Sequence, residues 1–181
     1  MSWQRPCGPK WRERTRSAAG RCAYAALGCW LTLAAQAPYA LIGHAAPDFA
    51  LHAAAGGNAR LSEHRGEVVV LSFWSSRCTP CRAQLTALNR SFQTYRSAGL
   101  VMYGVGVDDR PAQALEFARS AGVSFALLLD PAKGVSRDYE VDNLPMTVLI
   151  DRNGTVRHVL RDYTAASEDL YLRELRALLN E

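Results

Sequence analysis

Beyond residue 29 the chain has only two cysteines, Cys78 and Cys81, of five in all. One pair cannot build a four-thiolate zinc site, and no histidine follows it at finger spacing. The loop the pair would close is too short to staple a fold usefully. His44, His52, His64 and His158 show no paired ligand spacing and are expected at the surface or in linkers. There is no internal repeat, and no low-complexity tract beyond alanine-rich stretches in the leader and linker. Gly104 and Gly106 alternate inside an apolar run without a third glycine at a helix start, which argues against a nucleotide-binding loop. Positive charge is also scarce after the first segment. Six of the 21 basic residues but one of the 17 acidic ones precede residue 38, leaving the remainder near −1. The basic balance belongs to the leader and gives no ground for a nucleic-acid partner.

That leader has the layout of an export signal. Arg5, Lys10, Arg12, Arg14, Arg16 and Arg21 precede an apolar run from Cys22 to about Ala37. The run ends in Ala35-Gln36-Ala37, a small-x-small pattern suited to signal peptidase. An uncleaved anchor from Cys22 to Ile42 is long enough to span a bilayer, although Gln36 and Pro38 weaken it. Ala26-Leu27-Gly28-Cys29 faintly resembles a lipobox. Residues 1–40 are therefore expected to be a signal peptide or membrane anchor, and 41–181 the folded domain. Membrane contact is expected only through that first segment.

The domain opens with Ala46-Pro47-Asp48-Phe49. A small hairpin follows, with a turn rich in glycine around Gly56-Gly57. From Glu67 to Trp74 the chain is apolar on both faces, as suits a strand inside a covered sheet. From Thr79 to about Ala98, Leu85, Leu88, Phe92 and Tyr95 recur at helical steps. A second buried strand runs from Leu100 to Val107. Asp108-Asp109-Arg110-Pro111 reads as the cap of a helix ending near Gly122. Phe125–Leu129 is a third strand and Lys133–Tyr139 a short helix. A strand entered through Pro145 then turns at Asn153-Gly154 and pairs back from Thr155 to Leu160. A last helix covers about Ser167–Leu179. Alternating strands and helices imply an α/β domain with a mixed sheet covered on both faces.

Cys78 and Cys81 lie where the central strand hands over to a helix. Their spacing puts both sulfurs in one helical turn, within bonding reach of each other. Unpaired N–H groups and the aligned peptide dipoles at the helix start favour the Cys78 thiolate, which is the nucleophile. Arg77 is expected to help as a pKa-tuning residue. Pro80 suits the first turn, where its missing N–H costs nothing. The pair thus reads as a redox couple.

The run Trp74-Ser75-Ser76-Arg77-Cys78-Thr79-Pro80-Cys81 resembles the Trp-x-x-x-Cys-x-x-Cys motif of the thioredoxin superfamily. Leu144-Pro145-Met146-Thr147 resembles its cis-proline loop. The Ala-Pro-Asp-Phe opening, the strand and helix inserted between the two motifs, and the Leu-Ile-Asp-Arg-Asn-Gly hairpin resemble the TlpA/ResA/CcmG branch of extracytoplasmic thiol–disulfide oxidoreductases. The resemblance covers Ala46 to the C-terminus. It implies a thioredoxin-like fold with an N-terminal β-hairpin and an extra strand–helix insertion. It implies an exposed attacking Cys78, a buried resolving Cys81 and a cis bond before Pro145. Trp74, Pro80, Leu144 and Pro145 become the substrate-binding surface. One position departs from the pattern: where thioredoxin has a buried Asp two residues before the Trp, this chain has Ser72. A hydroxyl does not titrate near neutrality, and no replacement carboxylate can be named from the sequence.

The expected reaction is disulfide exchange on exported proteins, such as apocytochrome c or copper-site assembly proteins. A membrane thiol reductase would supply the electrons. No cofactor or metal is expected, and a monomer suffices. The dipeptide between the cysteines tunes the potential within a range of roughly −270 to −120 mV, and the reducing end is expected. Two rivals stand beside this. A peroxiredoxin-like peroxidase shares the Ala-Pro-Asp-Phe opening, and Ser75 fits its pattern, but Leu71 occupies its proline position. A copper metallochaperone would use both thiolates, although the cis-proline expected at Pro145, which in the family keeps metal ions off the cysteines, argues against it.

Overall fold

The structure, a computed structural model, describes residues 39–181. The expected signal or anchor at residues 1–40 lies almost wholly outside the described residues. The chain builds β1 (Ala50–Ala53), β2 (Asn58–Arg60), β3 (Val68–Trp74), α1 (Thr79–Tyr95), β4 (Leu100–Gly106) and α2 (Pro111–Ala121). It continues with β5 (Ala126–Leu129), α3 (Gly134–Asp138), β6 (Met146–Ile150), β7 (Val156–Leu160) and α4 (Ala165–Leu179). One sheet holds all seven strands in the order β2-β1-β5-β4-β3-β6-β7. β3, β4 and β5 run parallel, and β1, β2, β6 and β7 join antiparallel. This is the mixed sheet of the thioredoxin-like fold, with β1–β2 as the N-terminal hairpin and α2–β5 following the parallel pair. Among the described residues no helix is long and apolar enough to cross a membrane.

β3 shows why the sheet is buried on both sides. Successive side chains point to opposite faces, and all seven of its residues are buried. Val68, Val70 and Trp74 join Leu85 and Leu88 of α1, Phe117 of α2 and Leu175 of α4 in one core. Val69, Leu71 and Phe73 join Phe49, Val135 and Tyr139 in the other. The second face is therefore closed by the short α3 and the segment before β1 rather than by a long helix. Tyr139 is fully buried there, and its hydroxyl donates to the Pro47 carbonyl at 2.8 Å.

Three local expectations change. α4 begins at Ala165, two residues early, because Thr164 caps it: the Ser167 N–H donates to Thr164 Oγ1 at 3.1 Å, and the Thr164 N–H donates to Ser167 Oγ at 2.7 Å. A Ser in place of Glu or Gln at the third position hid this capping box. His64 is not a free surface group: it lies 2.6 Å from the Tyr103 hydroxyl and 2.8 Å from Glu67 Oε2. Ser62-Glu63-His64-Arg65-Gly66 reads as a polar turn, and Leu61–His64 form a short 3-10 helix there.

Gly106 owes its place to Trp74, and Gly104 to Leu127 and the same indole. A Cβ on Gly106 would lie 2.8 Å from Trp74 Cζ2, and one on Gly104 would meet Leu127 Cδ2 first and the indole nitrogen at 3.0 Å. Trp74 stacks on Phe117 with ring centroids 4.8 Å apart. Gly106→Val is expected to lower stability by about 1–3 kcal/mol through overpacking, read as a lower urea midpoint. Gly134→Ala meets nothing within 4 Å and should leave the midpoint near wild type.

Candidate active site

The parallel register of β3 with β4 ends at Trp74 opposite Gly106, and the Val107 N–H donates to the Trp74 carbonyl at 2.9 Å. The chain then leaves the sheet through Ser75-Ser76-Arg77 and enters α1. Cys78 is the N-cap, with extended backbone at φ −86° and ψ 102°, and a proline stands in the first turn. Its partner Cys81 lies one turn on, with Cα atoms 5.3 Å apart, and the two sulfurs are bonded. Cys81 is fully buried against Trp74 and Leu85, whereas Cys78 is half-buried. One sulfur can meet another protein and the other cannot. Among the described residues no cluster of three His, Cys, Asp or Glu side chains could hold a metal ion.

The turn before Cys78 is tied by Asp108, which its local pattern places at the cap of α2. Asp108 does not cap α2; that cap is Arg110, without a side-chain hydrogen bond. Asp108 instead accepts from the Ser76 N–H at 2.8 Å, the Ser76 hydroxyl at 2.7 Å and the Ser75 hydroxyl at 3.3 Å. The strand pairing forces this, because β4 ends beside β3 and delivers its next residues to the same turn. Ser75 Oγ also accepts from the Arg77 N–H at 3.2 Å, so it is not a free hydroxyl aimed at Cys78 as the peroxidase pattern would have it. Arg77 itself is exposed. Nearby, Lys133 bonds Asp109 at 2.7 Å and holds that carboxyl below its ordinary range.

Ser72 replaces the buried carboxylate of thioredoxin with a neutral chain. Its hydroxyl donates to Gln84 Oε1 at 3.0 Å, and Gln84 Nε2 donates to Thr147 Oγ1 at 2.9 Å. All three residues are buried. Gln84 lies three residues after Cys81 on the same helix, which puts the two side chains on one face. Its signal in the sequence is a polar residue on the buried face of α1.

The Leu144–Pro145 peptide bond is cis. β6 pairs antiparallel with β3, Met146 opposite Phe73, so the step before it brings Pro145 to the end of the sheet where β3 meets the cysteines. Pro145 is buried and Leu144 half-buried, while Pro80 is exposed. A groove lined by Val107, Lys133, Asn143 and Leu144 runs beside the loop. Trp74, like Pro145, is buried where a surface residue is expected. It is 0% exposed, enclosed by Gly104, Gly106 and Phe117, and has no face to offer a substrate. It is a packing residue beneath the turn.

The AhpC/TSA family matches the chain over residues 42–159. Thiol-disulfide oxidoreductase ResA of Geobacillus kaustophilus is 34% identical over 129 residues, spanning 71% of this chain and 74% of that protein. A crystal structure of thiol:disulfide interchange protein DsbE from Chlorobium tepidum superposes with a TM-score of 0.73 at 33% identity, covering 76% of this chain and 97% of that one. A solution structure of a protein disulfide isomerase from Bacteroides thetaiotaomicron gives 0.72 at 29% identity, covering 77% and 91%.

The unequal burial of the two sulfurs has a direct readout. In the reduced, folded protein, brief iodoacetamide treatment should alkylate Cys78 and spare Cys81, as fragmentation of the peptide that carries both would resolve. After unfolding in guanidinium both should label. Equal labelling of both in the native state would contradict the burial described.

Proposed function

Because the chain belongs to the AhpC/TSA family and is a thiol–disulfide oxidoreductase, we propose that it reduces disulfides of exported proteins, with Cys78 attacking and Cys81 resolving. The observation that carries this is a half-exposed sulfur at a helix start bonded to a fully buried one. The Cys78 thiolate attacks one sulfur of a substrate disulfide. A Cys78–substrate disulfide forms, and the second substrate sulfur leaves as a thiolate that takes a proton. Cys81 then loses its proton and attacks Cys78 Sγ. The first substrate sulfur leaves, and the Cys78–Cys81 bond closes. Two electrons have passed from the pair to the substrate, which departs as a dithiol.

The remaining residues take supporting roles in this reading. The helix start stabilises the leaving or attacking Cys78 thiolate, and Arg77 adds positive charge nearby. Leu144 and Pro145 present backbone to an extended substrate chain, with Pro80 exposed on the rim. The neutral Ser72–Gln84–Thr147 chain supplies no titratable group beneath Cys81, so its proton leaves by water. Residues 1–40 export the domain or hold it at the outer face of a membrane. In an oxidising compartment the pair needs re-reduction, and a membrane thiol reductase is the donor that fits. Substrates of the matching kind are cysteine pairs that must be kept reduced to accept haem or copper.

Trapping tests the assignment. Reduced Cys81→Ser protein mixed with a disulfide-bonded peptide should accumulate a mixed disulfide on Cys78, detected as a mass increase reversed by dithiothreitol. Cys78→Ser should accumulate none, and wild type should release the reduced peptide. If Cys81→Ser forms no adduct while Cys78 remains alkylatable, the proposed order of attack is wrong.

A further inference from the structure

Asp108 is 5% exposed, yet among the described residues no Lys, Arg or His nitrogen lies within salt-bridge distance of it. Its neighbour Asp109 takes Lys133 instead. A buried carboxylate without a counter-ion is costly unless hydrogen bonds replace the lost water. Here every side-chain bond it makes goes to Ser75 and Ser76. The consequences run along the turn. The Ser76 N–H is taken by Asp108, the Arg77 N–H by Ser75 Oγ, and the Cys78 N–H by the Ser75 carbonyl at 3.1 Å. Three successive backbone donors before the reactive sulfur are thus occupied, and none is left to turn toward it. At the same time a negative charge is fixed to the turn two residues before Cys78. A like charge disfavours a thiolate, and a less stable thiolate makes the dithiol the stronger electron donor.

We infer that Asp108 is a positioning residue of the redox centre, which holds the Ser75–Ser76 turn and by its charge biases the pair toward giving up electrons. The inference rests on Cys78 being the attacking thiol. The helix start and Asp108 act on the same sulfur with opposite sign. The other charged groups at this end of the sheet are Arg77 on the turn, Arg110, and the Asp109–Lys133 pair. Arg82 is turned away, bonded to the Ser120 carbonyl and hydroxyl and lying over the Phe117 ring, and Glu116 lines the groove it shares with Arg77. Apart from Asp108, all of these are exposed or already engaged.

The test compares full-length wild type, Asp108→Asn and Ser76→Ala in reduced form. The rate of iodoacetamide labelling at Cys78 is followed against pH by mass spectrometry, with fragmentation assigning the label to Cys78 rather than Cys81. Asp108→Asn keeps an acceptor for the Ser76 N–H and removes the charge. Its half-titration should fall by about one pH unit, so labelling well below that pH speeds up about tenfold. In a fixed glutathione buffer a larger share of its pair should stand as dithiol. Ser76→Ala loosens the turn and keeps the charge, so its half-titration should not fall. If Asp108→Asn does not fold, Asp108→Ser is judged by the same criterion. A half-titration unchanged or raised on removing the charge overturns the inference, as does an equal fall in Ser76→Ala. Labelling needs no substrate, so the trapping experiment fails or succeeds independently of this one.

Discussion

Seven residues of β3 paired in parallel with seven of β4 decide where the chemistry sits. The pairing is buried on both faces, so it cannot slip by one residue without turning each core inside out. Its end is therefore a fixed point. There the chain must leave the sheet, and the residue that opens the next helix is Cys78. The carboxyl ends of parallel strands are where α/β sheets gather their sites. Here the end of β3 supplies the cysteines, the end of β4 supplies Asp108, and the start of β6 supplies Pro145. Three loops far apart in sequence meet because their strands are neighbours.

The polar groups of the site are divided by that geometry. Above the sheet's end lies a charged, hydrogen-bonded turn around Asp108. Beneath Cys81, on the α1 face of β3, lies an uncharged chain of Ser72, Gln84 and Thr147. The chain satisfies its own donors and acceptors, which matters because an unpaired buried polar group is expensive. Trp74 is buried at the end of the same strand, β3. Its indole fills the room that Gly106 leaves empty and stacks on Phe117.

Much of this was legible in the sequence, for physical reasons that differ by residue. The run Val68-Val69-Val70-Leu71 could only be a strand buried on both sides, and a Cys-x-x-Cys at its exit could only be a redox pair or a ligand pair. The two sheet faces followed from alternation alone. What stayed hidden depended on contacts between distant segments. Asp108 lies two residues before Arg110-Pro111 and looks like a helix cap by local pattern, yet its partners are more than thirty residues earlier. Gln84 looks like one polar residue on an apolar stripe until Ser72 and Thr147 are seen beside it. Trp74 was expected as a surface shoulder because its motif resembles a family pattern. Its burial follows from the two glycines of β4, whose register with β3 no local reading supplies.

The central claim is that Cys78 and Cys81 form one two-electron couple at the end of β3. Equilibrating the protein in glutathione buffers of graded ratio, and scoring the Cys78–Cys81 disulfide by mass spectrometry, tests it most directly. The expected result is a single transition with a two-electron slope, its midpoint nearer roughly −270 than −120 mV. Two thiols that each take up glutathione independently, with no bond between them at any ratio, would contradict it.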